Sequence, residues 1–96
     1  MTLSWHASPE ESAREFIAAD IERGFTFVQE ATADNAQRQP AWRSHLLRNA
    51  AHAYAEAEWR IAEADGRWWD MGALRAQLRR LQEALRGLEP VQRKAA

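Results

Sequence analysis

The stretch "MGALRAQLRRLQEALRGL", residues 71–88, decides how the rest of the chain is to be understood. Met71, Leu74, Leu78, Leu81, Leu85 and Leu88 recur at alternating steps of three and four. That spacing is the seam of a helix packed lengthwise on other helices. Gly87 and Pro90 stop it, and the Asp65-Gly66 break precedes it. The pattern predicts a helix over 68–87, with Asp70 as one candidate cap because Gly72 blurs the start, and a frayed tail over 90–96.

Working upstream, "PAWRSHLLRNAAHAYAEAEWRIAEADG" carries an apolar stripe from Trp42 through Leu46, Ala50, Ala53, Ala57, Ile61 and Ala64, with Leu47 and Tyr54 beside it. Pro40 suits its first turn, so a helix over 40–64 is predicted. Because the stripe is mostly alanine, its neighbours must come close and supply the large side chains. Before it, "ADNAQRQP" reads as a break. Still earlier, "SPEES" is a helix start: Ser8 caps, Pro9 fits the first position, and Glu11 completes a capping box. Ala13, Ile17, Ile21, Gly24, Val28 and Ala31 then form one face of a helix over 9–33, flanked by Phe16, Phe25 and Phe27. Gly24, at the centre of that face, predicts a close helix contact.

No strand-like alternation occurs, so the class is all-α, and short connections imply a single-domain three-helix up-down-up antiparallel bundle over 1–96. That topology puts Trp42 at one end, near Val28, Ala31 and Leu85. It gathers Trp5, Trp68 and Trp69 at the other end.

With 96 residues and no cysteine, packing alone must hold the fold, without disulfides or thiolate metal sites. No window approaches the apolar length of a membrane span and the N-terminus lacks a leader pattern, so a cytoplasmic, non-membrane protein is expected. Twelve of the thirteen basic residues are arginine, which reflects a GC-rich genome more than it does any function. The net charge of -1 hides an asymmetry: residues 8–33 hold six acids against two arginines, and residues 66–96 hold seven basic residues against three acids. In an up-down-up bundle the acidic first helix would lie along the basic third one and compensate it internally.

The candidate functional residues fall into three groups. Trp68 and Trp69 are adjacent, so both cannot point inward from a helix; the expectation is that Trp68 with one neighbour closes the open end of the core and that one of the adjacent pair is partly exposed. Trp59 lies on the polar face shared with His52, Glu56 and Glu63, where an indole either packs under the segment around Trp5 or anchors a dimer. His52 and Glu56 share a face, with His45 about 10.5 Å away along the axis. Two ligands are too few for a metal centre, so that face is read as solvated surface. On the third helix Arg75, Arg79, Arg80 and Arg86, with Arg67 before them, form a basic face interrupted by Gln77, Gln82 and Glu83.

No cysteine nucleophile, phosphate loop or metalloprotease motif is present, and Ser44 beside His45 is only sequence adjacency. A non-catalytic protein-interaction or assembly module without a cofactor is therefore expected, self-associating as a homodimer or binding another protein. The apolar helices, five Trp and three Phe of a chain this small leave some indole to be covered. The alternative is a bundle whose Trp-rich end binds a small ligand, such as a quaternary ammonium. Nucleic-acid binding through the basic face ranks third, because the chain as a whole is slightly acidic.

Overall fold

The computed structural model describes residues 8–88, which are all-α: α1 Pro9–Thr32, α2 Asp34–Gln37, α3 Pro40–Gly66 and α4 Gly72–Gly87, with no strand among them. The expectations for Trp5 and for the tail over 90–96 lie outside the described residues. Among the described residues no helix is long and apolar enough to cross a membrane.

Helix α1 begins with the capping box read from "SPEES". The Glu11 amide donates to Ser8 Oγ and the Ser8 amide to Glu11 Oε1, both at 3.1 Å. Its face Ile17, Ile21, Gly24, Val28 and Ala31 is buried, and Ala13 lies at the margin. All six α3 residues from Leu46 to Ala64 on the alanine stripe are buried. On α4, Leu74, Leu78 and Leu81 are buried with Met71 just before it, while Leu85 and Leu88 are half-buried. Gly24 sits where a Cβ would come within 2.5 Å of Leu81 Cδ2, so α1 and α4 approach closely because the glycine leaves room for a leucine.

Three local expectations need correction. The segment after α1 is not a simple loop, since Asp34–Gln37 forms a helical turn whose Ala36 is buried against Ala31 and Leu46. The third long helix starts at Gly72, not at residue 68, while α3 continues to Gly66. Asp70 does assist the start, as Gly72 N donates to Asp70 Oδ1 at 3.0 Å. Trp42, expected to open the apolar stripe of α3, is 47% exposed and stacks on His45 with ring centroids 5.5 Å apart.

The expected charge compensation between the first and last helices does not form among the described residues. Glu10 of α1 pairs with Arg14 and Asp20 with Arg23, within the same helix, and Asp20 also pairs with Arg60 of α3. Arg75 of α4 turns to Asp65 of α3 at 2.6 Å. The reason is angular: α4 meets α1 through Leu81, and Arg75, Arg79 and Arg86 lie about 120° to 160° round the helix from it, with Arg75 and Arg79 lining the groove on the α3 side.

Candidate interaction surface

The connection between α3 and α4 is built by backbone hydrogen bonds. Trp68 N donates to Asp65 O at 3.0 Å and Trp69 N to Ala64 O at 3.1 Å. This pair of bonds is the Schellman arrangement, in which the residue past the helix end turns left-handed, usually as glycine. Here that residue is Trp68, with φ of 65°, the one non-glycine residue of positive φ among the described residues. A β-carbon in this conformation costs about 1–2 kcal/mol. Gly66, which the sequence offers for the turn, lies two residues too early and stays helical.

The reversal separates the two indoles. Trp69 follows the chain back and packs half-buried on the core, with the Arg67 guanidinium 5.3 Å from its ring centroid. Trp68 is left 94% exposed. One of the pair is exposed, as expected, but the expectation that Trp68 closes the core needs correction: the left-handed turn at Trp68 throws its indole outward, and Trp69 packs on the core instead.

Beside this corner runs an open groove of about 260 Å³ between the start of α1 and the end of α3, lined by Ala13, Phe16, Arg60, Glu63, Ala64 and Trp69 among others. Phe16 is 59% exposed and lies under the Arg60 guanidinium, 5.4 Å from the ring centroid. Arg60 is fixed from below by Asp20, whose carboxylate accepts from Arg60 Nε at 3.1 Å and Arg23 Nη1 at 2.9 Å. Neither Asp20 nor Arg60 was picked out by pattern. A signal existed for Asp20, which falls between Ile17 and Gly24 in the three-and-four rhythm and is therefore an acid on the core face.

Trp59, on the outer side of α3, is 58% exposed. On the same helix His52 Nε2 lies 4.0 Å from Glu56 Oε2, and Glu56 Oε1 lies 3.8 Å from Arg60 Nη2, a row of polar side chains along one face. His45 is elsewhere engaged, within 3.3 Å of Asn49 Nδ2. No group of three or more His, Cys, Asp or Glu side chains arranged to hold a metal occurs among the described residues.

The basic face divides. Arg75 is held by Asp65 through contacts of 2.6 and 2.7 Å, whereas Arg79, Arg80 and Arg86 are exposed with no ion pair among the described residues. A second groove, about 310 Å³, runs between α3 and α4 past Tyr54, Glu58, Ile61, Leu78 and Arg79. Burial first, and then the Glu58 carboxylate, push the Tyr54 phenol above its ordinary value, against the opposing pull of Arg86. Arg43, near the other end of α3, was also missed; it donates to the Leu88 carbonyl at 3.3 Å and ties the two helix ends together. Against known proteins, no family model matches the chain, and neither does any curated protein or solved structure.

Proposed function

We propose that this chain is a non-catalytic, cytoplasmic assembly module, a single three-helix up-down-up domain with α2 as a turn in its first connection, that associates with a second copy of itself through its exposed tryptophans. The observation that carries the proposal is Trp68, 94% exposed on a left-handed residue. A conformation that costs free energy and presents an indole to water is kept where the indole has a task. Trp59 and Phe16 add exposed aromatic surface, and tryptophan is enriched among the residues that dominate protein interfaces. Burying one indole, about 200 Å², is worth about 5 kcal/mol before association entropy is set against it.

The test is light-scattering mass over a hundredfold concentration range for the wild type and for Trp68→Gly. Glycine suits the left-handed position, so a loss of association in that variant cannot be put down to misfolding. A wild type that remains monomeric throughout removes the proposal.

A second reading, a small-molecule site, draws on the groove beside Phe16 and Trp69. Since guanidinium groups already cover both rings, an apolar ligand suits it better than a cationic one. A ligand-dependent change in tryptophan fluorescence from a strictly monomeric protein would favour this reading.

A further inference from the structure

We infer that the α4 edge bearing Arg79 and Arg86 receives the α1 edge bearing Glu15 and Glu22 from a second copy of the chain. This rests on the self-association reading and adds a second, charged contact separate from the Trp68 surface.

All four side chains are exposed, and none makes an ion pair or a side-chain hydrogen bond among the described residues. The two edges match in length. Glu15 and Glu22 are seven residues apart, as are Arg79 and Arg86, so each pair spans two helical turns, about 10.5 Å. Two equal spans let both ion pairs form together, whichever way the helices run.

One molecule cannot make this contact with itself. The α1 edge lies about a quarter of a turn beyond Arg14, which reaches the Asp70 carbonyl just before α4, and so faces outward, away from the Asp20 and Phe16 side that meets Arg60 of α3. Arg79 looks the other way, into the groove that α4 forms with Tyr54 and Ile61 of α3, and Arg86, whose charge acts on the Tyr54 phenol, lies on the same side. The body of α4 stands between them. Ala19, exposed between the two glutamates, is small enough to let the incoming helix approach closely.

A nucleic acid is a poorer occupant. Glu58 and Asp65 line the same groove, and two arginines two turns apart match a helical repeat better than a phosphate strand with one charge per about 3.4 Å. Because the two edges lie on different sides, the contact is heterologous. It does not close on a two-fold axis, and mass should grow beyond a dimer.

The experiment measures light-scattering mass of the full chain against concentration at about 0.01 M and about 1 M salt, where the Debye length is about 30 Å and about 3 Å. The wild type should exceed a dimer at low salt and lose that excess at high salt. Glu15→Arg with Glu22→Arg should remove the excess, with the dissociation constant rising about tenfold or more. Arg79→Glu with Arg86→Glu should do the same, and mixing the two variants should restore a hetero-complex at low salt. Circular dichroism of each variant confirms that the helices are retained. Failure of mixing to restore association, with both variants folded, overturns the inference. So does an oligomer insensitive to both reversals, or binding of single-stranded DNA that is lost only in the arginine variant. Trp68→Gly tells the two contacts apart, since it should abolish the salt-insensitive dimer and leave the salt-sensitive association in place.

Discussion

At the scale of single residues, two positions carry conflicts between local preference and tertiary need. Trp68 holds a backbone conformation that glycine adopts without penalty. Trp68→Gly is therefore expected to stabilise the fold by about 1 kcal/mol, measured as a higher urea midpoint, while removing the exposed indole. Gly24 has the reverse character. Alanine there gains helix propensity of about 1 kcal/mol, but its Cβ would lie 2.5 Å from a fully buried leucine methyl, and overpacking costs about 1–3 kcal/mol. Gly24→Ala should come out net destabilising by about 1 kcal/mol in the same measurement. Tyr54 supplies a pH dependence: its phenol, raised above 10.0 by burial and by Glu58, keeps its proton longer in the folded chain than in the unfolded one. Stability is fully present below pH 10.0 and falls as the pH rises above it. Alkaline thermal melts should show that fall in the wild type, and a smaller one in Tyr54→Phe.

At the scale of elements, the helices differ in what holds them. Helix α1 has a complete capping box, so Ser8→Ala should cost about 1 kcal/mol, seen as a lower melting temperature with unchanged association. Helix α4 has no side-chain cap from its N-cap residue Met71 and buries three of its own residues, against six in α3. Its amides should exchange with deuterium ahead of those of α1 and α3. An exchange map with α4 as the best-protected helix would contradict this account of its packing. The boundary error at its start has the same root: "GRWWD" has neither proline nor a glycine at the turning residue, so the left-handed reversal at Trp68 left no mark in the pattern.

For the whole molecule, the central matter is where opposite charge and exposed aromatic surface are answered. Within the described chain, α1 acids pair with α1 and α3, and the outer arginines of α4 are left to solvent. Two kinds of association are then expected, an apolar one that survives salt and a charged one that does not. Mass measured along a salt series should fall in a step as the charged contact is screened and level off at the dimer.

The sequence by itself determined the helical class, the capping box at Ser8 and Glu11, the buried alanine stripe of α3 and the close contact at Gly24. Each is a local or periodic property: a helix repeats every 3.6 residues, and the apolar pattern repeats with it. The place of Trp59 on the polar face of α3 was legible in the same way. Tertiary structure decided which tryptophan turned outward, because hydrogen bonds to Ala64 and Asp65 close the reversal and core packing holds Trp69. It also decided that Asp20 is covered and bridges α1 to α3 through Arg60, and that the acidic and basic faces do not meet. Those outcomes depend on how each helix is rotated against its neighbours, which periodicity along one chain segment does not encode.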